Sequence, residues 1–185
     1  MKIIQIGANK GHDDVYNFLT GSVGIDFVLL VEPLSFHIED LKKCYKDFQN
    51  VYIEQVAVVP KEQEGKIKIY YNPADGPGYE ISSLDLNSAG GENNTKFEEV
   101  EAKTLTQLLD KYKITQLDFL FIDAEGSDDD IVMSLDLDKY SIKYIEYEHL
   151  HVKHGNSINT FLESKGYKSV KTIPSKDSYN SAYSK

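Results

Sequence analysis

Asp123 and Glu125 stand two residues apart, directly after Leu117 to Ile122, a stretch apolar but for Asp118. Carboxylates so placed could act as a general base, orient a reacting group or ligate a metal ion. A second polar group follows another apolar run: Glu146-Tyr147-Glu148-His149-Leu150-His151-Val152-Lys153-His154. Imidazole titrates near neutrality, which makes His149 a candidate base, while His151 and His154 read as exposed loop residues. With Asp123 and Glu148 these histidines could instead ligate a divalent metal, but no His-Glu-x-x-His spacing occurs, and a metal is an alternative that the sequence does not predict. Near the N-terminus, Ile3 to Ile6 leads into Gly7-Ala8-Asn9-Lys10-Gly11. Glycines permit a tight turn and the close approach of a ligand to bare backbone. Glu32 follows at about the distance, roughly 20 positions, at which an acidic residue accepts both hydroxyls of a ribose. Turn and carboxylate together suit an adenosine-like ligand.

These residues need a scaffold that brings them together, and the hydrophobic pattern supplies one. Lys2 to Ile6 reads as a strand and Asp13 to Leu19 as a short helix with acidic residues in its first turn. Phe27 to Val31 is continuously apolar, the pattern of a strand covered on both faces. Leu34, Ile38, Leu41, Tyr45 and Phe48 recur at helical spacing. Val51 to Val59 reads as one strand and Lys66 to Tyr71 as an added one. Residues 72–95, rich in Gly, Asn, Ser and Pro, read as a long mobile loop flanked by Tyr70, Tyr71 and Tyr79. Thr104 or Thr106 can cap a helix carrying Leu105, Leu108, Leu109 and Tyr112. Strand 117–122 precedes a helix from Asp128 to Leu137. In that helix Asp128, Asp129 and Asp130 read as a solvated first turn complementing the helix dipole. Strand 142–147, helix 158–165 and an antiparallel hairpin of 167–173 with 179–183 complete the chain. Strands alternating with helices indicate one α/β domain over residues 1–185, with a mostly parallel sheet and helices on both faces. Such sheets bind ligands outside the carboxyl ends of their strands, where the strand order reverses. Gly7 to Gly11, Glu32, Ala57, Asp123 and Glu148 all fall at strand ends.

Composition narrows the function. The formal net charge is −10, and all 20 cationic residues are lysine. Phosphate-binding surfaces are basic and rely on arginine for bidentate contacts, so nucleic acid and phosphorylated acceptors are disfavoured. No apolar run approaches the roughly 18 residues of a membrane span, and no export signal is read at the N-terminus. A lone cysteine, Cys44, excludes an internal disulfide framework and fits a reducing cytoplasm.

Two cofactor classes share the glycine-turn-plus-acid logic. A dinucleotide site needs glycine where this chain has Asn9, so that the pyrophosphate can approach. S-adenosylmethionine carries an amino-acid end instead, which Asn9 can hydrogen-bond. The sequence resembles the FkbM-type family of S-adenosylmethionine-dependent methyltransferases. The resemblance rests on Gln5-Ile6-Gly7-Ala8-Asn9-Lys10-Gly11, Val31-Glu32-Pro33, Val56-Ala57-Val58, Ser82-Ser83-Leu84, Thr104-Leu105-Thr106, Ile122-Asp123-Ala124-Glu125-Gly126 and Glu148, in that order along the chain. It implies a Rossmann-like class I methyltransferase domain. The implied cofactor contacts are Gln5, Gly7, Ala8, Asn9, Gly11, Glu32, Pro33, Ala57, Ser83 and Asp123. Three positions depart from the pattern. Gln5 replaces an acidic residue, Thr106 replaces an aspartate, and the chain opens at the first strand, where the family often has a covering segment. The last departure leads to the expectation of an open pocket, or one covered by another subunit.

By the resemblance, the reaction is methyl transfer to an oxygen, on a carbohydrate or other small-molecule acceptor. Catalysis would then fall to Asp123, Glu125 and His149, with burial raising the pKa of one carboxyl of the pair. The rival reading is a ligand-binding protein on the same fold that has lost catalysis, with Gln5 as its best support.

Overall fold

The computed structural model describes residues 1–62, 65–73, 82–87, 89, 95–151, 153–174 and 178–185. Its centre is a seven-stranded sheet. The chain enters through β1 (Lys2–Ile6), α1 (Asp14–Thr20), β2 (Phe27–Val31), α2 (Ser35–Cys44) and β3 (Val51–Glu54). It continues through β4 (Ala57–Val58), β5 (Lys66–Tyr71), β6 (Ser82–Ser83), β7 (Lys96–Lys103) and α3 (Leu105–Lys111). β8 (Gln116–Ile122), α4 (Asp128–Met133), β9 (Ser141–Glu148), α5 (Asn156–Ser164), β10 (Lys168–Val170) and β11 (Asn180–Ser184) follow. The central order is β10-β11-β9-β8-β1-β2-β3. β3, β2, β1, β8 and β9 run parallel, and β11 is antiparallel to both β9 and β10.

The two faces separate by side-chain alternation. Ile4, Ile6, Leu29, Val31, Leu120 and Ile122 point to the face covered by α3, α4 and α5. Ile3, Val28, Leu30 and Phe121 point to the face covered by α1 and α2. Val28 to Val31 is buried on both faces because helices cover both, and burying each such side chain contributes about 1.5–3 kcal/mol. Asp13 caps α1 by accepting the Tyr16 N–H at 2.8 Å. Thr104, rather than Thr106, caps α3 in a capping box with Gln107.

Two expectations are corrected, and one strand is added. The run 51–59 is not one strand: β3 ends at Glu54, and β4 leaves to pair with β7. A second sheet of order β4-β7-β5-β6 results. β7 is mostly charged, with only Val100 and Ala102 turned fully inward and Phe97 exposed, so its sequence carries little apolar signal. Helix α4 stops at Met133, and Leu135 and Leu137 are buried in the turns beyond it. Most of the expected 72–95 loop, with Tyr79, lies outside the described residues. Among those described, Tyr71 packs on Phe36 and Tyr70 on Phe97. No helix among the described residues is long and apolar enough to cross a membrane.

Candidate active site

The strand order reverses between β1 and β8, since the chain winds one way through β2 and β3 and the other through β9. A crevice of about 700 Å³ opens at the carboxyl ends of these strands. That lies within the range of small-molecule sites. Its wall includes Gln5, Gly7, Asn9, Gly11, Glu32, Pro33, Ala57, Asp123 and Glu125. Ala8, Ser83 and His149 are not on it. Ala8 is fully buried in the core beneath the turn. Ser83 stands behind Glu125 and donates to its backbone oxygen at 3.1 Å. His149 turns to β11, with Nδ1 3.0 Å from the Ser181 hydroxyl.

The turn after β1 is clamped to β2. The Gly7 and Ala8 N–H groups both donate to the Val31 carbonyl, at 3.0 and 3.1 Å. The two glycines serve the chain's own packing. At φ +77°, Gly7 leaves a Cβ position only 1.9 Å from the Asp123 carbonyl oxygen, and at Gly11 that position meets Cys44 Sγ at 2.7 Å. The close approach expected of a ligand is therefore made by protein atoms at both positions.

Glu32 is 4% exposed. Its Oε2 accepts the Asn9 N–H at 2.8 Å and its Oε1 the Leu34 N–H at 2.9 Å. It thus ties the glycine turn to the start of α2, while each oxygen keeps a second acceptor direction. Burial raises its pKa to about 7 against the pull of those two hydrogen bonds. Gln5 is 5% exposed; its Nε2 donates to Asp13 Oδ2 at 2.6 Å, which fixes the amide. Its Oε1 has no hydrogen-bond partner in the structure. Asp13 places a carboxylate beside the position where the family's acid is replaced.

Asp123 is exposed at the crevice, and the raised pKa falls on Glu125, at about 8. Burial is the main cause, and the charges of Asp123, Glu148 and Asp128 add to it. The expected solvation of the aspartate run is overturned. Asp128 and Asp129 are 1% and 0% exposed. Asp128 accepts the Ala124 and Gly126 N–H groups at 3.1 and 3.3 Å, holding the Asp123–Glu125 loop. Asp129 accepts the Lys153 and His154 N–H groups at 2.8 and 2.6 Å. Backbone donors of two loops replace the water these carboxylates would otherwise need. Asp130 keeps the surface role, pairing with Lys153 and His154.

Glu146 was not singled out from sequence, yet it lines the crevice at 3% exposure. Its Oε2 accepts from the Tyr144 hydroxyl and the Ile173 N–H. Its register places it beside Phe121, itself beside Gln5, on one face of the sheet. The available signal was an acid inside an apolar strand. His151 is the exposed loop residue expected, and its ring stands beside the Glu148 and Glu125 carboxylates.

The family's sequence profile for the methyltransferase FkbM domain matches residues 5–169. This chain belongs to the FkbM methyltransferase family. Among solved structures, methyltransferase FkbM from Methylobacillus flagellatus KT is similar to this FkbM domain with 14% identity and a TM-score of 0.59. The match covers 100% of this chain and 43% of that one. Precorrin-6y C5,15-methyltransferase from Geobacter metallireducens GS-15 matches at 13% identity and TM-score 0.52, over 100% of this chain and 80% of that one. Aeropyrum pernix fibrillarin, solved with natively bound S-adenosyl-L-methionine, matches at 10% and 0.50, over 99% and 64%. At these identities the likeness shows a class I methyltransferase fold. No curated protein sequence matches the chain.

Proposed function

We propose that this FkbM domain binds S-adenosylmethionine in the crevice and transfers its methyl group to a hydroxyl of a carbohydrate or other neutral small molecule. The observation that carries the reading is the set of groups converging at the switch point. There the Glu32 carboxylate, the glycine turn, the unpartnered Gln5 carbonyl and the Asp123–Glu125 pair share one wall. The residues fit the cofactor. Glu32 suits a ribose diol, and the Gln5 Oε1 is a buried acceptor in need of a donor such as an ammonium. Asp13 beside Gln5 restores the missing negative charge, which weakens the case for a binding protein without catalysis.

When bound, the cofactor supplies a methyl group on a positively charged sulfur. The protein's part is to hold an acceptor hydroxyl in line with it and take the hydroxyl proton. Asp123 and Glu125 are the carboxylates placed for that proton, and Glu125 has its pKa near the working range of a general base. Asp13, Asp14, Glu32, Asp123, Glu125 and Glu146 line the crevice against Lys10 and His12. This balance supports a neutral acceptor over an anionic one.

Calorimetry with S-adenosylmethionine, S-adenosylhomocysteine and NAD tests the reading. The two sulfur compounds should bind and NAD should not. Glu32→Ala should weaken binding by about 1.5–3 kcal/mol, roughly ten- to 150-fold. Binding of NAD alone, or of none of the three, would reject the proposal.

A further inference from the structure

β8 and β9 are parallel neighbours in register up to Ile122 and Tyr147, so the segments leaving their ends run side by side. The first carries Glu125; the second carries Glu148 and, three residues on, His151. Their ligand atoms all lie within 4.8 Å of one another. His151 Nδ1 is 3.2 Å from Glu148 Oε2 and 3.5 Å from Glu125 Oε2. Ligands bound to a first-row metal at about 2.0–2.2 Å are separated by about 2.9–3.6 Å in octahedral or tetrahedral sets. Both distances from His151 fall in that interval, and the two carboxylates lie within 4.8 Å of each other.

An ion pair alone accounts poorly for the group. One Nδ1–H cannot donate well to two carboxylates, and Asp123 and Asp128 add like charge around Glu125. The nearby Lys153 is committed to Asp130. An imidazole joined to two carboxylates is a mixed nitrogen and oxygen donor set, of the kind that takes Mn²⁺ or Zn²⁺. The Glu125 and Glu148 side chains are 18% and 15% exposed and His151 is 48% exposed, so the set is open on one side.

We propose that Glu125, Glu148 and His151 form a binding site for a divalent transition-metal ion at the rim of the crevice. Glu125 belongs to both the cluster and the crevice wall. An ion held there lies beside the acceptor space and lowers the pKa of a hydroxyl that reaches it. That role rests on the methyl-transfer reading; the site itself does not.

The test is Mn²⁺ titration of the chelator-treated full chain, followed by electron paramagnetic resonance, with Zn²⁺ calorimetry as a second arm. One site is expected. Glu148→Gln and His151→Ala should each weaken it about tenfold or more, because even outer groups of metal sites are worth that much. Asp138→Asn, which breaks the exposed pair with Lys165, should leave it unchanged. Thermal melts and S-adenosylmethionine titrations on the same samples verify that each variant is folded. Absence of Mn²⁺ and Zn²⁺ binding below millimolar concentration, or equal affinity in folded wild type and both ligand variants, overturns the site. Cofactor binding without ion binding defeats this proposal alone. Ion binding at these residues without cofactor binding upholds it and defeats the methyl-transfer reading.

Discussion

Gly7→Ala probes the joint between fold and site. The new methyl carbon would lie 1.9 Å from the Asp123 carbonyl oxygen, which is main chain and cannot swing aside as a side chain would. Relief requires β1 and β8 to part where Asp123 donates its N–H to Ile6 at 3.0 Å and Gly7 donates to Val31 at 3.0 Å. Overpacking of this kind costs about 1–3 kcal/mol. The left-handed backbone at φ +77° adds about 1–2 kcal/mol for a residue with a Cβ. The sum, about 2–5 kcal/mol, lowers Tm by about 4–20 °C in a domain of this size. Gly24→Ala is the matched control: φ is +70°, and nothing lies within 4 Å of its Cβ position. It should cost the backbone part alone, about 1–2 kcal/mol. Urea unfolding and thermal melts of both variants measure the difference. If Gly7→Ala is no less stable than Gly24→Ala, the steric argument for the turn is wrong.

Two further outcomes are expected. Glu32 has its folded pKa raised from 4.5 to about 7, so the folded chain holds a proton there that the unfolded chain releases. Its contribution to stability is complete below pH 4.5 and is lost as pH rises through about 7. The slope reaches at most about 1.4 kcal/mol per pH unit, and Glu32→Gln should flatten it in urea titrations across this window. Asp123→Asn, which keeps shape and removes charge, should lower turnover about 100-fold or more while the melt is unchanged. Near-normal turnover would exclude Asp123 from proton removal and move the role to Glu125.

Much of the site was legible because its residues end strands of strongly apolar pattern. Phe27 to Val31 and Leu117 to Ile122 announce buried strands, and whatever follows them must emerge at the same edge of a parallel sheet. That is why Gly7, Glu32, Asp123 and Glu125 could be named together. β7 carries no clear strand signal because its solvated face is mostly charged. In Lys96–Lys103 the inward Val100 and Ala102 are too few to show the period. Ala57 lies within a run, 51–59, that reads as one strand, whereas β4 crosses to a second sheet through partners in β7, some 45 residues away.

The sequence by itself determined the succession of strands and helices, the turn that must bend at Gly7 and the acids that leave the central strands. These follow from local pattern and backbone stereochemistry, which act between near neighbours in the chain. The tertiary structure alone decided what those acids do. Asp128 and Asp129 are polar in any hydropathy reading, yet they are buried because the loop just before the helix presents N–H groups to Asp128 and a loop 24 residues further on presents them to Asp129. His151 and His149 differ by two positions in one loop, and only packing turns one to Glu125 and Glu148 and the other to Ser181. Burial and charge depend on what the folded chain brings within a few ångströms, and one-dimensional spacing does not contain that information.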